Sequence, residues 1–351
     1  MCEDLHPTSV SPEIRKIGNE YNMKAQKLKP HTGSIVAQDK KGRGGQSATL
    51  QTTEKLEKRA TKEFLVATYN VRTLNNTVTS QVKVTHKIEQ IIAGCEENNI
   101  SLVAIQEHRL KTTNDINLEK HGTSTLAHTN SSQECHGVAI LYQNHIGSIV
   151  TSVTRKSDRL MALHLNGNPR MCIISANAPT ETADDAAKES FYEDLKELLL
   201  SIPQHTIIII AGDFNARLGR DSHLTNSKIV GNCCFHNSTN DNGQRLIDLC
   251  EATEIRPLQT HFSDRWSRLA TYRDPNGKYY QLDHVLINTK WWKSIKSCRS
   301  FNTVDIMSDH KIVCADFRLS LRTTKKKRNP RCSFMTEKLS EERTRHEFDI
   351  A

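Results

Sequence analysis

Three apolar segments of the chain each lead into polar residues that can bind a metal ion or a phosphate group. Asn70 and Glu107 follow the first two segments, and the four isoleucines at 207–210 lead to Asp213 and Asn215. Loops and strand ends are the places where rigid scaffolds present catalytic groups. The isoleucine run therefore predicts a buried strand that holds Asp213 and Asn215 in place.

Two further places along the chain carry residues of the same kind. Asp283 lies within the apolar segment 279–287, and Asp309 and His310 come just before the apolar segment 311–319. Taken singly, each residue has an ordinary interpretation as a turn residue, a surface acid or a structural histidine. Five such places in one chain order favour a shared site.

These residue types suit the hydrolysis of a phosphodiester. The phosphate is anionic and repels a nucleophile, and a hard divalent cation with oxygen ligands relieves that repulsion. Mg²⁺ is the predicted cation, with Mn²⁺ as the alternative. Glu107 is its predicted main ligand, with Asn70 and Asp309 as the other metal-site residues.

The remaining polar residues suit proton transfer and charge stabilisation. A carboxylate must take a proton from the attacking water, and Asp213 fits that role. Asn215 can hold this water or a phosphate oxygen, and His310 can donate a hydrogen bond to a non-bridging oxygen as charge builds. Asp283 can orient the imidazole and favour its protonated form.

The net charge of +8 is concentrated at the two ends of the 351-residue chain. Residues 1–62 hold 12 Lys or Arg and 7 Asp or Glu, residues 319–351 hold 9 and 5, and residues 63–318 hold 27 and 28. A basic flank can hold a phosphate backbone through counterion release, or can simply keep a protein in solution. We predict a disordered basic leader at 1–62, a folded domain at 63–319 and a basic, partly disordered tail at 320–351.

Several classes of protein are disfavoured by the sequence. No window approaches 18 uncharged apolar residues, so we expect no membrane span. The start of the chain lacks the basic and apolar regions of a secretory signal, and the ten cysteines include no C-x-x-C pair. We therefore expect reduced thiols in the cytosol or nucleus. The basic cluster 325–328 favours a nuclear protein, although such a cluster is more often a solvated linker.

The elements that must position the site are mostly short apolar strands. We predict strands at 64–69, 101–106, 136–143, 159–166, 170–179, 207–211 and 311–319, a hairpin at 269–287 with its turn at 275–277, and helices at 82–99, 184–202 and 242–255. Strands dominate, and helices separate only some of them. This pattern suits two packed sheets with helices on their outer faces.

The residues and their order resemble the endonuclease/exonuclease/phosphatase superfamily. The matching segments, which span about residues 63–318, are ATYNVRTLN, VAIQEHRL, APTE, AGDFNARLG, TYRDPNGKYYQLDHVLI and MSDHKIV. Within the superfamily the chain is most similar to the endonuclease of RTE-type non-LTR retrotransposons, and to the craniofacial-development-protein-2-like proteins that derive from such elements. An intact element continues into a reverse transcriptase, so we expect a domesticated endonuclease domain or a product of a decayed element.

The resemblance implies a fold, an activity and a partner. The fold is a DNase-like four-layer α/β sandwich, in which two packed mixed β-sheets are flanked by helices. The activity is Mg²⁺-dependent nicking of DNA, with the phosphate backbone as the contacted partner, and we expect a monomer. The implied roles agree with those given above and add Thr271, which falls where such endonucleases often have a threonine near the DNA.

Asn177 departs from the family pattern. It precedes APTE, where the family usually has a tyrosine that contacts the scissile phosphate. An asparagine can still donate a hydrogen bond, but it lacks the ring and reaches less far. We therefore expect Asn177 to contact the substrate and to weaken the activity.

Two other functions remain open on the sequence. One is a catalytically impaired relic that acts only by binding nucleic acid or a protein partner, which Asn177 favours. The other keeps the fold and chemistry but acts on abasic DNA, RNA or a phosphoinositide. The Cys-Asp-Arg signature of the inositol phosphatases is absent around Asp283, where the chain reads Gln281, Leu282, Asp283 and His284.

Overall fold

The computed structural model describes residues 59–322, apart from 76–77, 80–82, 85, 132–135, 303 and 305. The predicted leader and tail fall almost wholly outside these residues, as does the basic cluster 325–328, so all three stay predictions. The first strand begins at Arg59 rather than at Phe64, and the last strand runs to Arg322.

The described residues form seventeen strands, five α-helices and three 3₁₀-helices. The strands are β1 (Arg59–Asn70), β2 (Val78–Thr79), β3 (Lys83–Val84), β4 (Ile100–Gln106), β5 (Ile116–His121), β6 (Ser124–Thr129), β7 (Val138–Gln143), β8 (Val150–Arg155), β9 (Leu160–Leu165), β10 (Met171–Asn177), β11 (Ile207–Asp213), β12 (Ile255–Pro257), β13 (Tyr272–Arg273), β14 (Tyr279–Tyr280), β15 (Asp283–Asn288), β16 (Ile295–Phe301) and β17 (Ile312–Arg322). The helices are α1 (Lys87–Glu97), α2 (Asp185–Ser201), α3 (Arg220–Thr225), α4 (Asp241–Thr253) and α5 (Trp266–Leu269), with 3₁₀-helices at Asn144–Ile149, Gln259–His261 and Thr289–Ser294.

Most strands belong to two mixed sheets. The first sheet has the order β16-β17-β1-β4-β7-β6-β5 and the second has the order β12-β15-β11-β10-β9-β8. The pairs β1–β4 and β10–β11 are parallel, and the other pairs in the two sheets are antiparallel. The two parallel pairs lie inside their sheets.

Three clusters of buried apolar residues lie between the layers of sheets and helices. The middle cluster joins residues of both sheets, such as Val66 and Ile209. The outer cluster of the second sheet includes Phe191 of α2 and Leu246 of α4, and that of the first sheet includes Ile91 of α1. Helices therefore cover the outer face of each sheet, which confirms the four-layer α/β sandwich.

The isoleucine run is apolar throughout because both faces of β11 are buried. Ile207 and Ile209 pack between the two sheets, whereas Ile208 and Ile210 pack on the helix side. Neighbouring side chains of a strand point to opposite faces, and strands buried on both sides show continuous apolar runs.

Two helices begin where the sequence provides a capping side chain. Asp184 accepts a hydrogen bond from the Ala187 amide at the start of α2, and Asn240 accepts one from the Gly243 amide at the start of α4. Such caps satisfy backbone amides that lack partners within the helix. α4 ends at Thr253, and the next residue, Glu254, is left-handed with φ 54°.

The predicted hairpin at 269–287 is only partly correct. Tyr272 and Arg273 of β13 pair with Tyr280 and Tyr279 of β14, around a turn at 274–278. The chain then leaves the ladder, and from Asp283 onward β15 pairs with β11 and β12 in the second sheet. The break places Asp283 at the start of a sheet strand.

Gly212→Ala is expected to destabilise the fold next to Asp213. A Cβ at Gly212 would overlap the Ala176 backbone oxygen on β10, so the two strands would have to separate. We expect a loss of ~1–3 kcal/mol in the free energy of unfolding, typical of overpacking, measured by urea denaturation. Gly147→Ala is the matched control, because its new Cβ would lie 3.9 Å from Tyr142. Equal stability of the two variants would contradict the close approach at Gly212.

Candidate active site

The predicted site residues meet at one end of the sandwich, where strands of both sheets finish. Asn70 is the last residue of β1, Glu107 follows the end of β4, and Asp213 is the last residue of β11. The Asn70 side-chain amide donates to Glu107 Oε1 and to Asp213 Oδ2, both at 3.0 Å. One buried asparagine therefore joins the two sheets at this end.

Three side chains share one row of the second sheet. Asn177 of β10 lies opposite Asp213 of β11, and Asp213 lies opposite Asp283 of β15. Asp213 is 2% exposed and Asp283 is fully buried. Like charges directly opposite each other across a strand pair are destabilising. The two acids therefore need a compensating positive charge.

His310, just before β17 of the first sheet, provides that charge. Its Nδ1 lies 2.9 Å from Asp283 Oδ2, and its Nε2 lies 3.8 Å from Asp213 Oδ2. Burial lowers the pKa of His310, but the attraction and hydrogen bond of Asp283, together with Asp213 and Asp309, raise it to about 9. The imidazole is therefore protonated at neutral pH.

The surroundings of Asp213 make its carboxylate a stronger base. Burial raises the pKa of Asp213, and the negative charge of Asp283 raises it further. His310, the Asn215 backbone amide and the Asn70 side chain act in the opposite direction. A base whose pKa is moved toward neutrality accepts a proton more readily.

Two arginines that sequence reasoning missed lie beside the predicted acids. Arg72 Nη1 lies 3.0 Å from Asp309 Oδ2, and Arg109 Nη2 lies 3.2 Å from Glu107 Oε2. Each arginine comes two residues after a predicted metal-site residue, Asn70 or Glu107. That spacing was the available signal, and it is weak because arginines are frequent in loops.

The backbone around the site is held in conformations that favour glycine. Five non-glycine residues there have positive φ: Arg72 (56°), Glu107 (54°), Arg109 (57°), Asn215 (49°) and Met307 (59°). Each such residue costs ~1–3 kcal/mol and persists only where the surroundings fix it. Asn215 is fixed by its amide, which donates to Asp213 Oδ1 at 2.9 Å, and by its side chain, which donates to the Ala178 carbonyl.

Glu107, Asn70 and Asp309 carry oxygen atoms of the kind that a hard divalent cation binds. Glu107 keeps a side chain that is 21% exposed, so its carboxylate is open to a cation from solution. Asp309 Oδ1 is buried and has no hydrogen-bond partner among the described residues. Carboxylate and amide oxygens are the ligands that Mg²⁺ takes in proteins.

A second group of possible ligand atoms is better explained as an acid–base cluster. One atom each of Asp213, Asp283 and His310 lie within 4.8 Å of one another. Metal binding requires a neutral imidazole, whereas His310 is held protonated by its two acids. The cluster is therefore interpreted as an acid–base group, and Glu107 stays the predicted main ligand of a cation.

Thr271 and Ser308 stabilise the site through hydrogen bonds to the backbone of the segments that carry its residues. Thr271 is 1% exposed, and its hydroxyl accepts hydrogen bonds from the amides of Leu282 and Asp283. The hydroxyl of Ser308 donates to the Asn70 carbonyl at 2.7 Å. Thr271 thus fixes the start of β15, and its contact with DNA stays a prediction. Ser308 was missed, although it directly precedes Asp309.

Asn177 lies in a polar network that the sequence did not indicate. Its side chain is almost completely buried, and its backbone carbonyl accepts a hydrogen bond from the Arg159 side chain at 3.1 Å. Arg159 also contacts His136, which in turn contacts Asp158. This network fixes the end of β10 beside Asp213.

The fold and these residues define a member of a nuclease and phosphatase class. A model described as Endonuclease/Exonuclease/phosphatase family matches residues 67–310, so the chain belongs to this family. Enzymes of this family are generally dependent on a divalent metal.

The chain is similar to a particular mammalian protein. Craniofacial development protein 2 from Bos taurus is 28% identical over 291 residues, which cover 82% of this chain and 46% of that protein. The Tragulus javanicus protein is also 28% identical over 291 residues and is covered to 48%. The chain thus spans about half the length of the curated relatives it matches.

A solved structure of similar fold is the AP endonuclease LMAP from Leishmania major, with a TM-score of 0.55 and 12% identity, covering 73% of this chain and 88% of that one. Another is the 3′-5′ exonuclease NExo from Neisseria meningitidis, with a TM-score of 0.53 and 17% identity, covering 72% of this chain and 99% of that one. At such identities the likeness concerns the fold. None of the helices in the described residues is long and apolar enough to cross a membrane.

Asp283→Asn is expected to lower the pKa of His310. The substitution removes the main attraction that holds the ring protonated, so burial becomes dominant. An NMR titration of the histidine Cε1–H signals in EDTA, with His310→Gln for assignment, should show wild-type His310 titrating near pH 9 and the variant titrating well below that. Asp274→Asn, in the β13–β14 turn, is the matched control.

The raised pKa of His310 also makes the free energy of unfolding depend on pH. The wild-type pKa is raised above the unfolded value of ~6.5, so this group's contribution to folding is complete below pH 6.5 and is lost as the pH rises through about 9. Asp283→Asn should remove that loss. A wild-type His310 that titrates near pH 6.5 would show that the three groups are not coupled.

Proposed function

We propose that this protein is an Mg²⁺-dependent endonuclease, derived from a retrotransposon, that nicks DNA by attack of an activated water. The observation that carries the proposal is the position of His310, whose ring nitrogens face Asp283 at 2.9 Å and Asp213 at 3.8 Å, while Asn70 joins Asp213 to Glu107. Mn²⁺ is the alternative cation. We further propose that the protein acts as a monomer in the nucleus.

Glu107, Asn70 and Asp309 would hold the cation. When bound, the cation supplies positive charge that offsets the repulsion between a phosphate and an approaching nucleophile. Asn70 also donates to both Glu107 and Asp213, so it keeps the metal-site carboxylate and the proposed base at a fixed separation.

Asp213 acts as the general base for the attacking water. Its buried carboxylate has a raised pKa, and one of its oxygens accepts the Asn215 amide. Asn215 orients this water or a phosphate oxygen from the neighbouring position, where its left-handed backbone is fixed. General bases of this kind contribute about 10²–10⁴-fold in rate.

His310 stabilises the negative charge that builds on the phosphate. Its Nδ1 is engaged by Asp283, so Nε2 is the nitrogen that can donate to a non-bridging oxygen. A preorganised charged donor gains strength in a site shielded from water. Asp283 contributes indirectly, because it orients His310 and favours its protonated form. Thr271 contributes indirectly, because its hydroxyl accepts hydrogen bonds from the amides of Leu282 and Asp283 and so holds Asp283 in place.

The second candidate is a catalytically impaired protein that only binds nucleic acid or a protein partner. Asn177 favours it, because it stands in the row of Asp213 and Asp283 without the phenol ring expected there.

In the third candidate the same chemistry acts on another phosphoester, such as abasic DNA, RNA or a phosphoinositide. The names of the two similar structures, an AP endonuclease and a 3′-5′ exonuclease, support a nucleic acid substrate. A further structure of the Neisseria protein is bound to a product DNA hairpin.

Plasmid nicking tests the proposal directly. The wild-type protein with Mg²⁺ should convert supercoiled plasmid to the relaxed form, and EDTA should prevent this. Asp213→Ala and His310→Ala should each lower the rate at least ~10²-fold, because they remove the base and the charged donor. Leu200→Ala, exposed on α2, is the control. Nicking that persists in both site variants would rule out these roles.

Asn177→Tyr is expected to raise the nicking rate by about 10-fold, the value of one hydrogen bond to a charged group. A phenol at this position would extend from the row of Asp213 toward the phosphate. Circular dichroism should accompany the rate measurement, because Asn177 is buried and a larger side chain must still fit. A folded variant with an unchanged or lower rate would mean that Asn177 is not the limiting contact.

A further inference from the structure

A surface rich in aromatic and basic residues adjoins the candidate active site. We call it the aromatic ridge and define it by six rings: Phe235, His236, Trp266, Tyr272, Tyr279 and Tyr280. Neighbouring rings are in contact, with centroid distances from 4.9 to 6.1 Å. α5 and the β13–β14 hairpin supply most of the ridge.

Trp266 is the most unusual member of the ridge. It is 55% exposed and is the only aromatic residue among the exposed large apolar side chains of the described chain. Its ring is nevertheless supported, since Tyr279 contacts it edge-on at 5.0 Å and Phe235 lies at 5.3 Å. The ridge therefore holds one indole in place and leaves about half of it open to solvent.

Cations surround the rings of the ridge. The charges of Arg273 and Lys311 lie 5.6 and 5.4 Å from the Tyr279 ring, and Lys278 lies 5.3 Å from the Tyr280 ring. Residues 264–282 contain four Lys or Arg and two Asp, within a domain that is close to neutral. Rings interleaved with cations are suited to binding a nucleic acid strand, which has both bases and phosphates.

Backbone hydrogen bonds fix the ridge to the active site. The Arg273 amide donates to the Asp309 carbonyl at 3.0 Å, and the Lys311 amide donates to the Thr271 carbonyl at 2.7 Å. The Tyr272 ring lies 4.7 Å from the His310 ring. A nucleic acid strand bound to the ridge would therefore keep a fixed position relative to the active site.

An open cleft connects the two places. It has a volume of about 220 Å³ and is lined by Tyr272 and Tyr280 of the ridge, by Asn215 of the site and by Arg217, among others. The acids Glu181 and Asp274 also line the cleft, which joins the ridge at Tyr280 to the site at Asn215.

We propose that the aromatic ridge binds an unpaired segment of a nucleic acid strand, with one base stacked on Trp266 and its phosphates near Arg273 and Lys278. This rests on the proposed function for the nature of the partner, and it narrows the substrate to DNA with unpaired nucleotides beside the scissile phosphate. Stacking needs a free base face, which a fully paired duplex offers only at its ends.

The test is fluorescence anisotropy with a labelled oligodeoxythymidylate of about 12 nucleotides, in EDTA so that no cleavage occurs. Trp266→Ala should weaken binding at least ~5-fold, the lower limit for the loss of one stacked base. Trp266→Phe should keep most of the affinity, because the stacking face remains. Leu200→Ala, also exposed, should bind like the wild type.

A blunt duplex of the same length separates stacking from general attraction. Trp266→Ala should change duplex affinity much less than single-strand affinity. Equal losses for both ligands, or no loss for the single strand, would overturn the proposal and favour a protein partner for this surface. The result is independent of nicking: a protein that cleaves neither plasmid nor DNA with unpaired nucleotides, but shows the Trp266-dependent preference, would refute the endonuclease and retain the ridge.

Discussion

Two buried carboxylates lie directly opposite each other on neighbouring strands, and the rest of the site depends on how their charge is balanced. Asp213 and Asp283 share one row of the second sheet, and repulsion between them is weakly screened in a buried position. His310 reaches them from the first sheet. The charge balance is therefore made across the middle of the sandwich, and it requires both sheets to be packed in one relative position.

The same arrangement explains why the local backbone is strained. Left-handed residues at 72, 107, 109, 215 and 307 are concentrated around the site, although each opposes folding. Long strands and the central apolar cluster provide the stability that offsets this cost. The strained turns also carry the charged and amide side chains, so strain and chemistry occur in the same few loops.

The sequence predicted the central strands and the acids that they present, because strands buried on both faces have continuous apolar runs. The edge strands β5, β8, β12 and β16 were all missed. Edge strands are partly solvated, as the exposed residues of β5 and β8 illustrate, so they lack such runs. β6 was missed for another reason, since it is buried but composed mainly of small and polar residues. The contacts of Arg159 and Thr271 depend on distant segments and could not be predicted from spacing, and for Arg72 the spacing was only a weak signal.

The ladder between β1 and β17 places Arg59 opposite Arg322. The first and last strands described, β1 and β17, are thus neighbours in one sheet, and the start of β1 lies beside the end of β17. A short peptide joining these two points would permit circular permutation, with new ends opened in a surface turn such as 275–277 and every sheet pairing preserved. A partner protein fused at Arg59 and another fused at Arg322 would therefore be attached at neighbouring points of one sheet.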